Sequence, residues 1–147
     1  AMTFSDPSMV EYFPKEVNEV LSDGVDLLFC NEQELKIWAK TENLESGLEN
    51  LRMRAKQFVV TLGSKGAIVF DGNQLIEIDA CHARAVDTNG AGDMFAGAML
   101  YGITHGLSLK QAGNLASLAS SEVVSQFGSR LPEERHLQLL DIVKTRR

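Results

Sequence analysis

The chain has 147 residues, 44% of them hydrophobic and 23% charged, with 14 Lys and Arg against 20 Asp and Glu for a net charge of −6. These proportions suit one soluble globular domain spanning residues 1–147, and the acidic balance excludes a general nucleic-acid binder, which needs a basic face. The longest apolar runs, Val25 to Cys30 and Phe58 to Leu62, are too short to cross a bilayer, and no secretory leader pattern opens the chain, so the expectation is a cytoplasmic protein with no membrane partner.

In chain order, Met2 to Phe4 reads as a strand end. Asp6 is a good N-cap and Pro7 suits the first helical position of the stretch that follows. Val10, Phe13, Val17, Val20 and Leu21 predict one helix with a single apolar face. Val25 to Cys30 is apolar except for Asp26, as a buried parallel strand should be. Helices are expected over Glu32 to Lys40 and Leu44 to Lys56, the second with Leu44, Leu48 and Leu51 on one side. Gln57 to Leu62 is the next buried strand, and the turn Gly63-Ser64-Lys65-Gly66 leads to another at Ala67 to Phe70. Asp71-Gly72-Asn73 signals a hairpin into the alternating stretch Gln74 to Asp79. Ala83 to Val86 reads as a strand end before a glycine-rich turn, and helices follow at Ala91 to Thr104, Leu109 to Gln126 and Glu133 to Lys144. Short apolar strands alternating with amphipathic stretches predict an α/β fold.

Several residues call for little chemistry. Cys30 and Cys81 have no close Cys or His companions, so no zinc site is expected; Cys30 reads as a buried thiol, and a disulfide stays open but unfavoured. His82, His105 and His136 are scattered and receive no catalytic role. Lys144, Arg146 and Arg147 read as a solvated helix end whose charge suits the helix dipole.

The most informative segment is Asp87-Thr88-Asn89-Gly90-Ala91-Gly92-Asp93, at the start of a helix. Without side chains at Gly90 and Gly92, and with only a methyl at Ala91, backbone amides can approach a ligand closely. Such amides lack intrahelical acceptors and carry the positive end of the dipole, which makes an anion site suited to a transferring phosphoryl group. Asp93, in the first turn, could accept the proton of an attacking hydroxyl. The plainer reading is a helix start with glycines for the turn and an aspartate for the dipole.

The seven residues Asp87 to Asp93 resemble the D-T-x-G-A-G-D signature of the ribokinase-like carbohydrate kinases, the phosphofructokinase-B family, and match every fixed position. The resemblance implies a Rossmann-like layered sheet with flanking helices, of which this chain would hold the C-terminal half. It implies Asp93 as catalytic base and Gly90, Ala91 and Gly92 as the anion hole, with ATP as phosphoryl donor. Asn31-Glu32-Gln33-Glu34 resembles the family's N-x-x-E motif, which implies that Asn31 and Glu34 organise magnesium, often through water; an ordinary cap at Asn31 and a solvated helix residue at Glu34 are the alternative. Thr61-Leu62-Gly63-Ser64-Lys65-Gly66 resembles the ATP-contacting T-L-G-x-x-G turn, and a plain strand-to-strand turn is the alternative for Ser64 and Lys65. Asn114 reads equally as the asparagine that relatives place near the nucleotide and as a helix-surface residue. Val123 to Leu131 resembles the segment that closes a potassium-type monovalent-cation site, to which Asp87 would belong.

What the resemblance implies about the whole is an ATP-dependent kinase acting on a hydroxyl of a sugar or nucleoside, with local wording nearer the adenosine-kinase-like members. The family's substrate-binding glycines and β lid find no counterpart, so the chain reads as a fragment or truncated product that would be inactive alone and would pair with a missing half or a second copy. The alternative function is a non-catalytic nucleotide-binding remnant or partner module. Asp93 and Glu34 discriminate between the two, since a remnant has no need of both.

Overall fold

The computed structural model describes residues 1–22 and 24–145, so Arg146 and Arg147 of the basic C-terminus lie outside the described residues. The chain resolves into two compact units, Ala1–Gly63 with Ala67–Glu77, and Ser64–Gly66 with Ile78–Arg147.

The first unit carries a five-stranded sheet in the order β1-β2-β3-β4-β5. Its strands are β1 (Met2–Thr3), β2 (Val25–Asn31), β3 (Ala55–Thr61), β4 (Ala67–Phe70) and β5 (Leu75–Ile78), the last residue of β5 belonging to the second unit. β1, β2 and β3 run parallel and β4 runs antiparallel to β3. Parallel neighbours need crossovers, and helices supply them: α1 (Pro7–Tyr12) and α2 (Pro14–Ser22) between β1 and β2, α3 (Glu32–Ala39) and α4 (Leu44–Arg52) between β2 and β3.

The single helix expected after Asp6 is two. Pro14 has no N–H to donate and its ring pushes Phe13 out of the helical region, where it sits at φ −122°. The break re-aims the second half: Val10, Val17 and Leu21 are buried, while Phe13 and Val20 are exposed. A second boundary also moves. α4 ends at Arg52, and Ala55 and Lys56, expected in that helix, open β3, with Ala55 paired to Val25. The turn and cap signals of this unit follow expectation. Asp6 accepts from the Ser8 amide at 2.7 Å as the cap of α1, and Asp71 accepts from the amides of Asn73 and Gln74, each at 2.8 Å, to form the hairpin turn.

A hydrophobic core cluster lies in this unit. Leu28 and Cys30 of β2, Phe58 and Val60 of β3 and Phe70 of β4 pack with Leu21, Leu35, Leu48 and Leu51 from the helices. Phe58 stacks on Phe70 with ring centroids 5.0 Å apart. Each fully buried Leu or Phe side chain is worth about 1.5–3 kcal/mol of transfer free energy, so this cluster dominates the unit's stability.

The second unit is helical: α5 (Ala91–Thr104), α6 (Leu109–Val124) and α7 (Glu133–Thr145). α5 and α6 approach closely where Gly102 faces Ala112; a Cβ at Gly102 would lie 2.8 Å from the Ala112 methyl. Ser108 and Gln111 form a reciprocal capping box at the start of α6. α7 is fastened to α6 by Arg135, whose Nε and Nη2 donate to the two carboxylate oxygens of Glu122 at 2.9 and 2.7 Å. Ala83 to Val86 forms no strand. That segment is exposed, and its ladder partner is a helix end, the Val86 amide donating to the Val124 carbonyl at 2.7 Å.

Candidate active site

In the first unit the candidate residues gather at the C-terminal ends of two parallel strands. Asn31 and Thr61 are register partners at the ends of β2 and β3, and Gly63 follows at φ +60°, opening a 3₁₀ turn over Gly63–Lys65. Ligand sites in open α/β sheets form at such strand ends, because the loops there are free to carry function. A Cβ at Gly63 would meet nothing within 4 Å, so backbone conformation is what selects glycine there.

Asn31 and Glu34 form a reciprocal capping box. Asn31 Oδ1 accepts from the Glu34 amide at 2.8 Å and Glu34 Oε2 accepts from the Asn31 amide at 2.9 Å. Glu34 is 4% exposed, and burial pushes its carboxyl upward, against the pull of the Asn31 amide and with a further push from the Asp6 charge. The cap reading of Asn31 is therefore realised, whereas Glu34, a solvated helix residue in that reading, is buried and completes the box. Among the described residues no three acidic, His or Cys side chains converge as a metal cage, so the pair fits only a water-mediated contact with a hydrated magnesium ion. Cys30, at the end of the same strand, is a free thiol pushed far up by burial, and Cys81 is free as well.

In the second unit the glycine turn heads α5. Gly90 is the N-cap, left-handed at φ +77°, and makes no side-chain cap. Glycine is required there twice over, since a Cβ would also overlap the Ser129 side chain and lie 3.0 Å from its Cα. The Ala91 amide donates weakly to the Thr88 carbonyl at 3.3 Å. The amides of Gly92 and Asp93 meet no acceptor among the described residues, and a Cβ at Gly92 would meet nothing within 4 Å. Two amides without an acceptor and the positive end of the dipole thus lie at the head of α5, beside the exposed Asp93 carboxylate.

Asp87 braces this turn. Its Oδ1 accepts from the Asn89 amide at 3.0 Å and its Oδ2 from the Gly128 amide at 3.2 Å. Those two amides, Asn89 first, hold its carboxyl below the usual carboxylate range. Both oxygens of Asp87 are thereby occupied by backbone donors. Asn114 lies exposed on α6. Asp93 also borders a cavity of about 560 Å³ with an apolar floor that includes Met94, Leu115 and Leu139, and with Tyr101, Arg130 and His136 on its wall. Sequence assigns His136 no role and places Arg130 only within the Val123 to Leu131 segment, and nothing short-range could have put them on one cavity with Asp93.

A parallel sheet with a glycine turn heading a helix, and a carboxylate in that helix's first turn, is the arrangement of the ribokinase-like kinases. The profile for pfkB family carbohydrate kinase matches residues 1–136, and the chain belongs to that family. A ribokinase of Lactococcus lactis subsp. lactis (strain IL1403) is 41% identical over 108 residues, which are 74% of this chain and 35% of that protein. The crystal structure of adenosine kinase from Sinorhizobium meliloti is 34% identical with a TM-score of 0.88, over 99% of this chain and 44% of that one. The structure of Arabidopsis thaliana ribokinase complexed with ribose and ATP is 33% identical with a TM-score of 0.73, over 84% of this chain and 43% of that one. The chain spans less than half the length of each of these relatives. The ribokinase-like α/β fold expected from the motifs is the fold observed. No helix among the described residues is long and apolar enough to cross a membrane.

Proposed function

We propose that this chain supplies the phosphate-binding and catalytic part of an ATP-dependent kinase whose acceptor is a hydroxyl of a sugar or nucleoside. The observation that carries the reading is the head of α5, where the amides of Gly92 and Asp93 have no acceptor among the described residues and the Asp93 carboxylate is exposed. In the proposed reaction the acceptor oxygen attacks the γ-phosphorus, the bond to the β-phosphate oxygen breaks, and ADP leaves. The hydroxyl proton passes to the Asp93 carboxylate. Charge gathering on the transferred phosphoryl group meets the amides of Gly90 to Asp93 and the dipole behind them. Thr61, Gly63 and Asn114 are the proposed nucleotide contacts.

Asn31 and Glu34 would hold the hydration shell of magnesium, whose contribution is neutralisation of phosphate charge. Asp87, with both oxygens on amides, would serve a monovalent cation such as potassium by fixing the 125–131 loop whose carbonyls could ligate it. Support for ATP as donor comes from family membership and from a similar ribokinase that was solved with ribose and ATP. Similarity to both a ribokinase and an adenosine kinase supports the acceptor class without separating its two members.

The experiment is turnover of the enzyme containing this chain, with Asp93→Asn beside wild type, against a panel of sugars and nucleosides. The variant should lose roughly a hundredfold or more in kcat with ATP affinity unchanged. Wild-type turnover in Asp93→Asn would remove Asp93 from the chemistry.

A further inference from the structure

α6 carries a stripe of small residues on which the segment leading into the glycine turn is laid. Gly113, Ser117, Ser120 and Val124 follow one another at helical spacings of four, three and four, so they share one face. Each receives a different part of the incoming chain. Gly113 takes the Ile78 side chain, which a Cβ there would meet at 2.6 Å. Ser117 Oγ donates to the Asp79 carbonyl at 2.8 Å and accepts from the Cys81 amide at 3.0 Å. The Val124 carbonyl accepts from Val86 at 2.7 Å and from Asp87 at 3.3 Å. Ser120 Oγ donates to the Ala91 carbonyl at 3.0 Å.

The last of these contacts reaches the proposed anion site itself. The Ala91 carbonyl and the Gly92 N–H belong to one peptide group, and that N–H is one of the two that meet no acceptor among the described residues. A donor on the carbonyl side draws electron density from the nitrogen, because the amide is conjugated across the C–N bond. The N–H becomes a stronger donor, as hydrogen bonds in a chain polarise one another. The same bond fixes the plane of the peptide, hence the direction in which the N–H points.

We propose that Ser120 is a positioning residue of the kinase site, its hydroxyl orienting and polarising the Ala91–Gly92 peptide so that the Gly92 amide holds the transferred phosphate. This rests on the function proposed above and adds to it a residue three turns inside another helix, which touches neither nucleotide nor acceptor. An ordinary packing role would predict that loss of the hydroxyl changes only stability.

The test is an amide spectrum of the ¹⁵N-labelled chain, wild type beside Ser120→Ala, Ser120→Thr and Ser121→Ala, each titrated with ATP. Ser121 donates within its own helix, to the Leu118 carbonyl, and is the control. Ser120→Ala should shift the Gly92 amide proton upfield before nucleotide is added and weaken ATP binding about two- to fivefold, the share of one charge-assisted bond that such polarisation carries. Ser120→Thr, keeping the hydroxyl, should restore both, and Ser121→Ala should change neither. A folded Ser120→Ala chain with wild-type Gly92 shift and wild-type affinity would overturn the proposal while leaving the kinase reading intact. A wild-type Gly92 amide that ignores ATP would sink the anion-turn reading instead, and the nucleotide-free shift would still report the polarisation.

Discussion

Gly90 and Gly92 stand two positions apart and should fail in opposite ways when substituted. Gly90 is left-handed at φ +77° and packed against Ser129. An alanine there should cost about 2–4 kcal/mol, combining the left-handed penalty with the displacement of Ser129. In a chain of this size that lowers Tm by roughly 5–15 °C. Gly92 is helical and its missing Cβ points at nothing within 4 Å. Gly92→Val should therefore hold stability within about 0.5 kcal/mol, since valine and glycine differ little as helix residues. The branched side chain instead crowds the head of α5 beside the free amides, and ATP affinity should fall by about tenfold or more. Thermal unfolding followed by circular dichroism reads the first quantity and calorimetric titration with ATP the second. If Gly92→Val proved as destabilising as Gly90→Ala, the open space at Gly92 would be wrong. If it were stable and bound ATP like wild type, the phosphate would not sit at these amides.

Asp87 and Glu34 give opposite pH signatures. The amides of Asn89 and Gly128 depress the Asp87 carboxyl, so its contribution to stability is present above the ordinary carboxylate range and is lost as pH falls through the depressed folded value. Asp87→Asn should flatten that acid limb in denaturation profiles, and an unchanged limb would contradict the brace. Burial raises the Glu34 carboxyl, so there stability is full below the unfolded value and declines as pH rises through the raised one. Glu34→Gln keeps a capping-box acceptor and should leave Tm at neutral pH unchanged or slightly higher, while turnover of the enzyme falls about tenfold or more if its carboxylate serves the hydrated metal. Full turnover in a stable Glu34→Gln enzyme would reduce Glu34 to a helix cap.

Much of this was legible because the signals are local. Asn31 spells a helix cap, Asp71-Gly72-Asn73 a turn, and Ala91 to Thr104 a helix whose observed bounds match the expected ones. The misreadings also have local causes. Val10, Phe13 and Val17 keep a helical period straight through Pro14, and the period outweighed a proline that breaks the hydrogen-bond ladder. No glycine marks the end of α4, whose cap Met53 stays right-handed and exposed, so the start of β3 at Ala55 was hidden in a helical pattern. The Gly90 conformation was readable, but its collision with Ser129 was not, because the two residues are distant in sequence. Distance equally hid the bonds of Ser117 and Ser120 and the place of His136 on the cavity that Asp93 borders. The motif points to the proposed site; tertiary contacts decide how the turn is held.

The most direct measurement of the central claim compares ATP with ADP, both with magnesium, in amide spectra of the labelled chain. The account predicts that the γ-phosphate alone adds a shift centred on the amides of Gly90 to Asp93, and that both nucleotides perturb Thr61 and Gly63. Identical spectra with ATP and ADP, or an ATP-specific shift that bypasses the head of α5, would contradict it.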